Sequence, residues 1–147
     1  MEELSTQAKG EIAKLKAELR AAEKGWIVSR TAEGSRYDLV LDDGKKLYRV
    51  QVKYGNGKST NSQGAICLSL RKFVGDDLRR SPEYRKLPRR AYTKEEIDAV
   101  VVYIPRIDKI CWFGPDVFDN KADLMIRYEP SKNGQKKKII FAADYFW

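Results

Sequence analysis

The chain has 147 residues, with 29 basic side chains against 21 acidic ones, a net charge of +8 and no histidine. That length fits one domain, and 42% hydrophobic residues are enough for one core and too many for a disordered tail. Without histidine, serine-histidine and cysteine-histidine hydrolases, histidine zinc sites and histidine nucleases are excluded, which leaves acid-base chemistry to carboxylates, lysines or metal-activated water.

From Thr6 to Glu23, apolar residues at Ala8, Ile12, Leu15, Leu19 and Ala22 recur in steps of three and four. This predicts an amphipathic helix with that stripe buried, closed by Gly25. Trp26 to Ser29 reads as a short strand, and 32–36 as a loop around Gly34 and Ser35. Tyr37–Asp42 and Leu47–Tyr54 read as strands joined by an Asp43-Gly44 hairpin turn. Centring that turn on Asp43 and Gly44 sets Asp38 opposite Arg49. Asp38, Arg49, Gln51 and Lys53 then share one sheet face, while Tyr48, Val50 and Val52 join Leu39 and Leu41 on the other. Burial alone gives no reason to gather an acid, an amide and an ammonium on one face.

Residues 55–64 are small, polar and glycine-rich and predict a loop, followed by a strand from Ala65 to Leu70. The segment 71–90 contains Gly75, Pro82 and Pro88 and shows no periodicity, so it reads as a surface excursion. Thr93, with Glu95 and Glu96 behind it, predicts a short capped helix. The unbroken apolar run Ala99–Ile104 predicts a central strand, and Lys109–Phe113 a neighbouring one. Leu124–Tyr128 and Ile139–Phe141 read as further strands on either side of a lysine-rich stretch, 131–138. The expected fold class is α/β (mixed α+β), a single domain over 1–147 with one helix, a mixed sheet and a small C-terminal subregion.

Segment 71–90 holds eight basic residues against three acidic ones, and Lys132, Lys136, Lys137 and Lys138 form a second basic cluster. Clusters of this kind neutralise phosphates and give nucleic-acid affinity its salt dependence. Two cysteines, Cys67 and Cys111, make neither a disulfide framework nor a four-thiolate zinc site, so a reducing interior, the cytoplasm or a similar compartment, is expected. No signal-peptide pattern opens the chain, and no apolar run approaches the roughly 20 residues a bilayer span needs, so no membrane partner is expected.

A helix followed by three strands, with Glu11 in the helix, Asp38 entering one strand and Gln51-Val52-Lys53 in its partner, resembles the PD-(D/E)xK nuclease superfamily. More narrowly, the chain resembles the homing endonucleases encoded in group I introns. The likeness is carried by KGEIAKLKAEL, SRYDLVLDDGKKLYRVQVKYG, YTKEEIDAVVVYIP and KNGQKKKIIFAADY.

That resemblance implies an αβββαβ core and a metal-dependent endonuclease of double-stranded DNA, using Mg²⁺ (or Mn²⁺). Asp38, Gln51 and the Val52 carbonyl would be the metal ligands, and Glu11 would reach a water or a second ion. Lys53 would sit beside the attacking water. Gln51 departs from the family pattern, which calls for Asp or Glu there. A junction resolvase of the same core, an inactive binding module and an RNA-processing protein are the alternative readings. Two copies would present two active sites to two strands, so a homo-oligomer is expected, at least a dimer, with a tetramer implied by the resemblance; the aromatic C-terminus, unusual for a free tail, is the best interface candidate. Asn56, Lys58, Ser59, Asn61 and Gln63, together with Arg71, Lys72, Arg79, Arg80 and Arg85, are the expected DNA readers; Lys132 and Lys136 to Lys138 are expected to grip phosphates.

Overall fold

Ser5 caps the first helix by accepting the Ala8 N–H at 3.1 Å. At the other end, Gly25 takes φ +77° and Trp26 N–H returns to the Ala21 carbonyl, a glycine stop of the expected kind. In the computed structural model, residues 3–32, 34–56, 63–73, 89–130, 133–134 and 139–147 are described, the side chains of 72, 73 and 89 excepted. The elements in chain order are α1 (Thr6–Glu23), β1 (Ile27–Arg30), β2 (Leu39–Asp42), β3 (Leu47–Tyr54), β4 (Ala65–Ser69), β5 (Arg71–Phe73), β6 (Arg89–Ala91), β7 (Ala99–Ile104), β8 (Lys109–Phe113), α2 (Pro115–Phe118) and β9 (Asp123–Arg127). A 3-10 turn at Ala142–Tyr145 closes the chain.

Five strands form a mixed sheet in the order β1-β2-β3-β7-β8, with β3 and β7 parallel and the other pairs antiparallel. The strand β7 is buried at all six positions, as its apolar run predicts for the centre of such a sheet. One face of the sheet packs Leu39, Leu41, Val50, Val52, Ala99 and Val101 against α1. The other packs Val100, Val102, Ile104 and Phe113 against Ile66, Leu68, Leu124 and Ile126 of the β4–β9 ribbon, together with Tyr92 and Phe118. Among the described residues no helix is long and apolar enough to cross a membrane.

Four local expectations are corrected. The face of α1 against the sheet is Ala13, Ala17 and Ala21, while Leu15 and Leu19 stand 53% and 58% exposed. Alanines at every fourth position bring the helix backbone close to β3 and β7, and the leucine stripe turns outward. The hairpin between β2 and β3 pairs Asp42 with Leu47, so its turn spans four residues instead of two. Asp43 stabilises that wider turn by accepting both the Lys45 and Lys46 N–H groups at 2.8 Å. The register moves by two residues, which leaves every side chain on its predicted face. The helix expected from Thr93 is a single turn whose end is taken over by Glu96, which binds Arg36 and Arg90. Ile139–Phe141 likewise contributes one bridge, Phe141 to Arg127, and no strand.

The aromatic C-terminus packs on its own chain. Trp147 donates its N–H to the Ile110 carbonyl at 2.9 Å, and its ring lies 5.1 Å from Trp112 and 5.5 Å from Trp26.

Directly after β3, Gly55 is where the chain leaves the sheet. A Cβ built there would meet Ile66 Cδ1 at 2.7 Å, Val102 Cγ1 at 2.9 Å and the Tyr103 carbonyl at 3.1 Å. Gly55→Ala is therefore expected to lower stability in urea unfolding by about 1–3 kcal/mol through overpacking. An unchanged midpoint would show that the neighbours yield freely.

Candidate active site

The site exists because β3 outruns β2. β2 begins at Leu39, paired with Val50, so residues 52–54 of β3 have no β2 partner on that edge, while β7 pairs them on the other. The N–H and C=O of Val52 point to this open edge. Two polar side chains take their place in the ladder. Asp38 Oδ2 accepts the Val52 N–H at 2.9 Å, and Gln51 Nε2 approaches the Val52 carbonyl at 3.4 Å. Asp38 is itself held at the strand entry: its N–H donates to the Val50 carbonyl and its carbonyl accepts from Thr31.

Gln51 is 6% exposed, and its Oε1 is buried with no hydrogen-bond partner among the described residues. A buried amide oxygen left unsatisfied costs about 1–3 kcal/mol, a cost that a bound water or cation would remove. The Gln51 amide oxygen, the Asp38 carboxylate and the Val52 carbonyl are all hard oxygen donors, the kind that Mg²⁺ and Mn²⁺ prefer. The residues present fit such an ion. Among the described residues no cluster of three His, Cys, Asp or Glu side chains forms, so this donor set would rest on one carboxylate.

Lys53, half-buried and two residues further along β3, shares the face of Gln51, with its Nζ 5.5 Å from the Tyr92 ring centroid. Arg49, the fourth residue predicted on this face, is committed elsewhere: it forms an ion pair with Asp98 and donates to the Glu95 carbonyl. Glu11 is not brought to this group. It stands on α1, which covers the opposite face of the sheet, and pairs with Arg30 Nη1 at 2.8 Å.

Two residues on this side of the sheet carry no signal in a linear reading. Arg36, two positions before Asp38 and 1% exposed, is paired with Glu96 and also donates to the Arg90 and Ala91 carbonyls. Tyr92 is fully buried beneath Arg36. Their partners lie some fifty residues away, so only alternation from Asp38 back to Arg36 could have pointed to the first.

Of the predicted DNA contacts, Asn56, Gln63 and Arg71 are exposed, while Lys72 contributes its backbone to β5. Lys58, Ser59, Asn61, Arg79, Arg80, Arg85, Lys132, Lys136, Lys137 and Lys138 lie outside the described residues. Arg127 draws the described loop ends together. It donates to the carbonyls of Gln63, Glu129 and Pro130, between the two stretches expected to meet DNA.

The ion pairs around the site give a sign to its pH dependence. Burial pushes the Glu96 and Asp98 carboxyls up, but the hydrogen bonds and charge of Arg90 and Arg36 at Glu96, and of Arg49 at Asp98, hold both below their ordinary values. Carboxylates depressed in the fold stabilise it above their unfolded pKa, and that stability is lost as pH falls through the folded value. Melting temperature is thus expected to drop below about pH 4. Asp98→Asn should melt lower than the parent at neutral pH and converge with it in acid; a constant gap would contradict the linkage.

A family model described as PD-(D/E)XK endonuclease matches residues 4–147. Among solved structures, the chain is similar to a bacterial homing endonuclease, I-Ssp6803I, with a TM-score of 0.74 and 26% identity over 97% of this chain and 89% of that one. It is also similar to Hjc, a Holliday junction resolvase of the archaeal hyperthermophile Archaeoglobus fulgidus, with a TM-score of 0.49 and 17% identity over 81% and 84%. No curated protein matches.

Proposed function

The chain belongs to the PD-(D/E)XK endonuclease family, and from that premise we propose that it is a metal-dependent endonuclease that cuts double-stranded DNA at a specific site, of the intron-encoded homing type. The observation that carries the metal-dependent part is the buried, unsatisfied Gln51 Oε1 on a side chain next in sequence to Val52, whose N–H Asp38 accepts. The likeness to the bacterial homing enzyme supports the finer part.

Asp38, Gln51 and the Val52 carbonyl would hold Mg²⁺ or Mn²⁺, and such an ion supplies positive charge to the scissile phosphate and acidifies water. The protein's own share is placement. Asp38 is fixed by the Val52 N–H through one carboxylate oxygen, and the other would serve the ion. Lys53 presents an ammonium on the same face to stabilise charge that develops on the phosphoryl oxygens. Glu11, its charge shared with Arg30, would lie outside this donor set and act at most on a water or a second ion. Asn56, Gln63, Arg71 and the basic stretches around them would position the duplex.

We also propose a homo-oligomer, dimer or tetramer, because two strands need two such sites related by symmetry. The exposed Leu15, Leu19 and Phe146 supply apolar surface for a second copy.

The test is incubation with linear, branched and single-stranded DNA, with and without Mg²⁺, alongside Lys53→Ala. Cleavage at one site in linear duplex, absent in EDTA and in the variant, supports the reading. Cleavage of branched junctions alone would replace it with a resolvase, and binding without cleavage would replace it with an inactive module.

A further inference from the structure

The basic segment 71–90 runs into β6, and the first residue after that strand is Tyr92. Its backbone is fixed on both sides: the N–H donates to the Leu70 carbonyl at 3.2 Å, and the carbonyl accepts from Asn120 at 2.9 Å. Arg36 Cζ lies 4.6 Å from the ring centroid, and Arg36 is itself pinned by Glu96 and two carbonyls. The ring therefore has little freedom. Lys53, by contrast, carries its ammonium on a flexible four-carbon stem, and that ammonium lies 5.5 Å from the same ring centroid.

An aromatic ring this close attracts a cation through its quadrupole, more strongly where water is excluded. We propose that Tyr92 is a positioning residue whose π face orients the Lys53 ammonium on the Asp38–Gln51 face of the sheet. The proposal rests on the nuclease reading of that site. It also ties β6 to the lysine, because Tyr92 continues directly from that strand.

The test replaces Tyr92 with phenylalanine and then with mono-, di- and trifluorinated phenylalanines, which weaken the π face at nearly constant shape. Three quantities are read: the single-turnover cleavage rate at saturating duplex with Mg²⁺, the DNA affinity in Ca²⁺, and the NMR shift of the Lys53 ε-methylene, assigned by its loss in Lys53→Arg. Melting temperatures check that each variant folds.

The rate is expected to fall stepwise with each fluorine, on the order of tenfold across the series, the size of one partly desolvated cation–π contact. DNA affinity should stay constant, and the Lys53 shift should move toward its random-coil position. A flat rate with an unmoved Lys53 shift across a folded series would overturn the proposal, as would a full loss already in Tyr92→Phe. If the parent protein cuts no DNA, the nuclease reading fails separately, and the Lys53 shift still decides whether Tyr92 holds the ammonium.

Discussion

Replacing Asp38 with asparagine is expected to slow single-turnover cleavage of duplex DNA by about a thousandfold, while DNA affinity and melting temperature stay near those of the parent. The magnitude is the several kcal/mol a bound cation contributes by stabilising phosphoryl charge, at about 1.4 kcal/mol per tenfold. The fold should tolerate the change, because what Asp38 does for the fold is accept the Val52 N–H, and an asparagine oxygen can accept the same bond. What is lost is the negative charge, the one carboxylate in the proposed donor set. Rapid-quench cleavage with Mg²⁺, paired with affinity in Ca²⁺, separates the two effects. A large fall in melting temperature would make Asp38 chiefly a ladder terminator.

Gln51→Leu is expected to move stability and activity in opposite directions. Without divalent ions the variant should be more stable, by about 1–3 kcal/mol, because it removes a buried carbonyl oxygen that has no donor among the described residues. The contact it gives up is the long 3.4 Å approach of Nε2 to the Val52 carbonyl. Cleavage should nevertheless fall by about a hundredfold, the cost of one donor aimed at developing charge, and less Mn²⁺ should bind. Urea unfolding in EDTA and cleavage in Mg²⁺ read the two arms. A variant that is both less stable and fully active would make Gln51 an ordinary structural amide.

How far the fold is legible along the chain depends on the range of the forces involved. The bounds of α1, β3, β7 and β8 follow from local periodicity and turn chemistry, and the structure has them where those patterns end. The rotation of α1 does not follow. Two apolar stripes overlap on that helix, and only close packing on β3 and β7 selects Ala13, Ala17 and Ala21 over the leucines. The common face of Asp38, Gln51 and Lys53 survives a wrong hairpin register, because a two-residue slip preserves parity.

The finer geometry of the site is a tertiary matter. That β2 stops short and leaves the Val52 peptide open is not written in either strand alone. The placement of Glu11 against Arg30, on the far side from Lys53, follows from how α1 crosses the sheet. Arg36 and Tyr92 enter because β6 and the turn carrying Glu96 fold back beside the residues that precede β2.

The claim on which the account depends is that Asp38, Gln51 and the Val52 carbonyl hold a divalent cation. Anomalous diffraction from a crystal equilibrated with Mn²⁺ tests it most directly. The account predicts a peak coordinated by Asp38 and Gln51 Oε1 that is absent in Asp38→Asn. Manganese found at surface carboxylates alone, with Gln51 Oε1 satisfied by a protein donor, would contradict it.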